Sequence, residues 1–302
     1  MKPRAIFLGL MVAGLIATVI TVSVTRTPDN ETLAAAETPG STTTPDEPAT
    51  LSPSPASASP REQAALANAV STAVNRVVPG TQIGLAVYDR ISGSMLASLN
   101  DDQQFYTASV VKLLIATEVL REAGWQVPSG AARDELAVML SGSSDSVASA
   151  LWAAYGRTEI DRSAARLMRL SDMSLPSIPG QWEMTRLSPR DVVTVYRYLD
   201  ERMPQPASDF VLNALSGATR IATDGFDQYF GIPAALPGMN WAVKQGWMEI
   251  NNGTVLNTTG IVGSDGRYII SLLTRQPAGT GFGPGRAAVT AGIAALAPAL
   301  NS

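Results

Sequence analysis

The chain runs uncharged for twenty residues, Ala5 to Val24, behind Lys2 and Arg4. A membrane-crossing helix needs ~20 apolar residues. Residues 1–26 therefore read as an uncleaved, single-pass membrane anchor, with the basic flank in the cytoplasm and the rest of the chain extracytoplasmic. The alternative is secretion after signal cleavage, since an Ala-x-Ala site stands at Ala34 to Ala36, ten residues past the hydrophobic end. From residue 27 to 60 the apolar pattern stops. Seven prolines fall among Thr, Ser, Ala and Glu, a composition that cannot bury a core and reads as a disordered linker. In a polyproline-like state it would reach up to ~100 Å.

Periodicity returns at Arg61, and residues 61–302 are expected to form one domain. The stretch REQAALANAVSTAVNRVV (61–78) places small apolar residues at helical spacing. TQIGLAVYDR and SMLASLN alternate as strands joined through Ile91-Ser92-Gly93. Ser109 to about Asp209 is mostly helical in pattern. Three further strands follow, NWAVKQGWMEI, VLNTTGIVGS and RYIISLLTRQ, with turns at Asn251-Asn252-Gly253 and Asp265-Gly266. GRAAVTAGIAALAPAL closes the chain as a helix. This order predicts an α/β (α+β) fold: an antiparallel five-stranded sheet flanked by terminal helices, plus an all-helical lobe. The groove between lobe and sheet is the expected place for a site.

Composition narrows the chemistry. The chain has no histidine and no cysteine. That excludes Ser-His-Asp and Cys-His catalysis, His-ligated and thiolate metal centres, disulfides and a lipid-modified cysteine. A net charge of −4 without a basic stripe argues against nucleic acid. Lysine occurs only at Lys2, Lys112 and Lys244, against nineteen arginines. Arginine carries surface charge equally well but stays protonated, whereas a buried lysine can lose its proton. Both domain lysines lie in hydrophobic stretches, so each needs a reason.

Lys112 follows Ser109 by three residues at the start of the apolar run SVVKLLIATEVL. Residues i and i+3 share a helix face, which brings the amine to the hydroxyl. Burial would favour the neutral amine, able to take the serine proton, and a helix N-terminus aims N–H groups at an arriving carbonyl. Taken alone the pair reads equally as an N-capping serine beside a snorkelling lysine. In WAVKQGWM, strand alternation turns Lys244 and Gly246 to one side and Gln245 to the other, and the glycine admits close approach; the plain alternative is a lysine guarding a sheet edge. MLSGSSDSVASALW sets hydroxyls and a carboxylate ahead of an amphipathic helix, which fits an ordinary capped N-terminus as well.

Together these stretches resemble the penicillin-recognising serine hydrolases, the class A β-lactamases and D,D-peptidases, whose signature is S-x-x-K, S-D-N and K-T-G. The chain reads Ser109-Val-Val-Lys112, a serine–aspartate cluster and Lys244-Gln245-Gly246, in the same order. The middle element fits as Ser143-Ser144-Asp145 or as Ser144-Asp145-Ser146, and the flanking ML and ASALW favour the first. The resemblance, over roughly 61–302, implies Ser109 as nucleophile, Lys112 as base, and Ser143 and Lys244 as proton relay and electrostatic support. The backbone N–H groups of Ser109 and Trp247 would form an oxyanion hole; Ser144, Asp145, Gln245 and Gly246 would support the substrate. No cofactor or metal is implied. The implied partner is a small acyl substrate, β-lactam or cell-wall peptide. Departures stand beside this. Gln245 replaces a threonine that helps hold the substrate carboxylate, and no arginine occurs on the following strand. Glu183, in GQWEMTRLSP, falls too close to the next helix to match the family's deacylating glutamate, and no Leu-Asn follows. The rival expectation is a catalytically impaired cell-surface binding module that keeps the fold.

Overall fold

Helix α1 (Pro60–Val77) opens the computed structural model, which describes residues 57–301. The predicted anchor and almost all of the linker lie outside the described residues. Among the described residues no helix is long and apolar enough to cross a membrane. Ser59 and Glu62 start α1 with a reciprocal capping box: the serine hydroxyl accepts from Glu62 N–H and the glutamate accepts from Ser59 N–H.

The chain then makes β1 (Gln82–Asp89), β2 (Ser94–Leu99) and the two-residue β3 (Phe105–Tyr106). The helical lobe follows as α2 (Lys112–Glu122), α3 (Gly130–Ser141), α4 (Asp145–Ala154) and α5 (Thr158–Met168). The short β4 (Arg186–Leu187) pairs with β3. After it come α6 (Pro189–Glu201), α7 (Gln205–Ser216) and the single-turn α8 (Ile232–Ala235). Strands β5 (Trp241–Ile250), β6 (Gly253–Val262) and β7 (Tyr268–Gln276) lead to α9 (Phe282–Ala294) and α10 (Ala297–Leu300).

The five long strands form one antiparallel sheet in the order β2-β1-β7-β6-β5. The predicted fold class is the observed one. Alternation sorts the side chains: Leu85, Val87, Ile270 and Leu272 join the core under α1 and α9, while Ala86, Ile269 and Leu273 join the core shared with the helical lobe. Gly292 lets α9 approach α1, because a Cβ there would stand 2.6 Å from Val74 Cγ2. The β5–β6 turn is tighter than expected. Its loop is Asn251-Asn252 alone, and Gly253 already pairs with Ile250. The sheet order leaves β5 at an edge, facing the lobe.

Candidate active site

β3 delivers the chain into a 3-10 turn, Ala108–Val111, that runs directly into α2 at Lys112. Ser109 therefore lies in that tighter 3-10 turn, directly ahead of the α-helix. This has a chemical effect. In a 3-10 turn side chains at i and i+3 eclipse, and Lys112 Nζ sits 2.7 Å from Ser109 Oγ. Thr107 O closes the turn by accepting from Val110 N–H at 3.1 Å. Ala108 is held at φ +46° and Ser143 at φ +56°. Left-handed conformations cost non-glycine residues on the order of 1–3 kcal/mol and cluster at functional sites.

Lys112 is fully buried, 0% exposed. Besides Ser109 it reaches Ser143 O at 2.8 Å, Ser143 Oγ at 3.2 Å and Asp145 Oδ1 at 2.6 Å, and the Trp182 ring centre lies 4.7 Å away. An ammonium has three donors, so four oxygens compete for them and one hydroxyl can turn to donate when the amine is neutral. Lys244, 1% exposed, donates to Ser143 Oγ at 2.8 Å. Ser143 Oγ thus bridges the two lysines. Ser144 does not join them: its hydroxyl caps α4, accepting from Val147 N–H at 3.4 Å, and meets Ser146 Oγ at 3.1 Å.

On β5 the predicted alternation holds. The Gln245 amide turns inward and donates to Gln228 O and Phe230 O at 3.1 and 2.6 Å. Gly246 lies against the turn that carries Ser109, where a Cβ would stand 2.5 Å from Thr107 O. The Trp247 indole stacks on Phe226 with ring centres 4.5 Å apart and donates to Asp224 Oδ2 at 3.0 Å. Glu183 is half-buried in a 3-10 turn, Trp182–Met184, beside the tryptophan that lies near Lys112.

Burial drives the Lys112 pKa below the usual lysine value, opposed first by the Asp145 carboxylate and then by the charges of Asp224 and Glu183. Lys244 is pushed well below it, by burial and then by the charge of Lys112. The pair therefore does not hold two full charges easily, which suits one amine to a base and the other to a proton relay.

Residues that sequence reasoning missed hold the turn in place. Asn257 Nδ2 donates to Tyr106 O and Thr107 O at 2.8 and 3.1 Å. Thr107 Oγ1 donates to Thr185 O, and Thr185 Oγ1 to Asp161 Oδ2, both at 2.8 Å. Burial raises the Asp161 carboxyl to about 7, partly offset by that hydroxyl. The available signal was a run of polar residues, Asn257-Thr258-Thr259, inside a strand buried on both faces. Ser109 itself is only 5% exposed. A cavity of about 620 Å³ opens elsewhere, beside Glu62, Leu66, Leu96 and Tyr268, and does not include the Ser109 cluster. Among the described residues no cluster of three or more Asp, Glu, His or Cys side chains could hold a metal ion.

No protein-family model matches the chain. A protein named "Putative lipoprotein LppW", from Mycobacterium tuberculosis and Mycobacterium bovis, is 33% identical over 225 residues, covering 72% of this chain and 70% of the relative. Among solved structures, the TLA-3 extended-spectrum β-lactamase superposes with TM-score 0.66 at 14% identity, covering 80% of this chain and 100% of that one. A class A β-lactamase from Mycobacterium abscessus gives 0.63 at 18%, covering 78% and 100%. The β-lactamase from Sphaerobacter thermophilus gives 0.59 at 20%, covering 78% and 97%. The fold is that of the class A β-lactamases.

Proposed function

Because the chain belongs to the family of the mycobacterial LppW proteins and carries the class A β-lactamase fold, we propose that it is an extracytoplasmic serine hydrolase working through an acyl-enzyme on Ser109. A shared fold does not by itself carry an activity. The observation that does is the 2.7 Å contact between Ser109 Oγ and a fully buried Lys112 amine, with Ser143 Oγ joined to Lys244 behind it.

In this reading neutral Lys112 takes the Ser109 proton as Oγ attacks an amide or ester carbonyl. The backbone N–H groups of Ser109 and Trp247 hold the oxyanion. Ser143, hydrogen-bonded to Lys244, passes a proton to the leaving nitrogen or oxygen, and the acyl group remains on Ser109. Water must then attack the ester, and Glu183 is the nearby loop carboxylate. Its position in a short turn, without the family's Leu-Asn, favours a slow second step. The substrate would be a β-lactam or a peptidoglycan-type acyl compound. Anchoring would rest on residues 5–24, since no cysteine in this sequence can carry a lipid.

Two observations favour the rival, a cell-surface binding module: the 5% exposure of Ser109 and the inward turn of Gln245. Pre-steady-state kinetics with a chromogenic cephalosporin esterified at its carboxylate separate the two. The acyl-enzyme reading predicts a burst of about one equivalent followed by slow turnover. Absence of both burst and turnover would favour the binding module.

A further inference from the structure

Ser109, Lys112 and Lys244 are buried, but the exposed side chains bonded to this cluster and to Trp247 beside it are acidic. Asp145, whose side chain is 62% exposed, stands at the start of α4 with Oδ1 on Lys112. Asp224 is exposed on the loop after α7, and its contact with the Trp247 indole pins a carboxylate beside β5 just beyond Gly246. Glu183 follows Trp182, whose ring centre lies 4.7 Å from Lys112 Nζ. The charges of Asp145 and Asp224 act on both lysine amines and that of Glu183 on Lys112 as well, so three carboxylates stand against two amines. The amines lie beneath the rim and already have partners in Ser109, Ser143 and Asp145.

Among the described residues, the side chains of β5 and β6 around Gly246 offer a substrate carboxylate no donor at the surface, since Lys244 is 1% exposed and held to Ser143 Oγ. Gln245 is committed to Gln228 O and Phe230 O. Asn257, opposite Gly246 in the register, is committed to Tyr106 O and Thr107 O. The strand residues opposite Trp247 and Met248 are Leu256 and Val255. Two arginines stand farther out, and both are drawn to Asp227. Arg286 Nη1 donates to Asp227 O at 2.9 Å from behind the Phe226 ring, and Arg220 pairs with the Asp227 carboxylate at 3.2 Å. An incoming carboxylate would give up water to sit among carboxylates, whereas an ammonium would exchange its water for charge-assisted hydrogen bonds.

We infer that the site selects acyl substrates that carry an ammonium close to the scissile bond and disfavours those that carry a carboxylate there. This rests on the acyl-enzyme reading above and specifies its substrate class. Acylation transfers the acyl group to Ser109 Oγ and releases the leaving group with the serine proton, so no co-reactant is required.

The test uses the full chain and three thioesters of equal length and equal leaving group, ending in an ammonium, a methyl group or a carboxylate. The rate of acyl-Ser109 formation is followed by intact mass at low ionic strength. The ammonium probe is expected to react about tenfold faster than the carboxylate probe, with the methyl probe between them. Asp224→Asn should shrink that ratio severalfold, and so should added salt, which screens an exposed charge. Adducts formed at equal rates, or faster with the carboxylate probe, would overturn the charge selection and leave the acyl-enzyme reading intact. No adduct with any probe would overturn both.

Discussion

Replacing Lys112 by arginine is expected to slow covalent modification of Ser109 by about a hundredfold or more. The exchange retains a cation for Asp145, so the ion pair can persist. What it removes is a group able to be neutral, because a guanidinium does not deprotonate in a protein. A positioned general base contributes ~10²–10⁴-fold. The pH profile distinguishes this from a packing effect. The active amine is the deprotonated one, so the wild-type acylation rate should rise with pH and level off once Lys112 has lost its proton. Burial moves that point below the ordinary lysine range. The arginine variant should be slow and flat over the same range while melting cooperatively. A variant that acylates at the wild-type rate would remove Lys112 from the role of base.

Gly246→Ala is the second large effect. The new Cβ would stand 2.5 Å from Thr107 O and 3.3 Å from both Ala108 Cβ and Val110 Cγ2. Thr107 O already accepts from Val110 N–H and Asn257 Nδ2, so it cannot retreat without loosening the turn that carries Ser109. Overpacking of this kind costs about 1–3 kcal/mol, which for a domain of this size lowers Tm by about 2–12 °C. Acylation should fall further than stability does, because a displacement of ~1 Å at reacting atoms can cost ~100-fold. Thermal unfolding and acylation rate measured on the same preparation check both halves. An unchanged Tm with unchanged acylation would mean that β5 and the nucleophile turn are not packed as described.

How much of this was legible in the sequence differs by element. The first two long strands carried period-2 alternation and the last three stood out as strand-like runs between turn signals, and β1 and β7 sort their apolar residues to opposite faces. α1 showed small apolar residues at helical spacing, and its capping box at Ser59 and Glu62 is seen only in the structure. Ser109 and Lys112 were found because local spacing alone sets their meeting. Strands β3 and β4 were not, since two residues each give no period, although β3, paired with β4, leads into the turn that carries Ser109. The contact between Trp182 and Lys112, the placing of Asp224 beside Trp247 and the grip of Asn257 on Thr107 are set by the meeting of distant segments. No periodicity encodes them. Gln245 is the instructive case. Alternation correctly turned it away from Lys244, but only the packing of the 228–230 segment reveals that its amide is consumed there.

The most direct test of the central claim is intact-mass spectrometry of the full chain after incubation with a penicillin methyl ester, which lacks the free carboxylate, beside a Ser109→Ala control. The acyl-enzyme account predicts a mass increase equal to one drug molecule that maps to Ser109, is absent from the alanine variant and decays slowly. An adduct that persists in Ser109→Ala would place the nucleophile elsewhere. An unmodified wild-type chain with intact drug, together with silence toward activated thioesters, would contradict the account and leave a binding module built on a hydrolase fold.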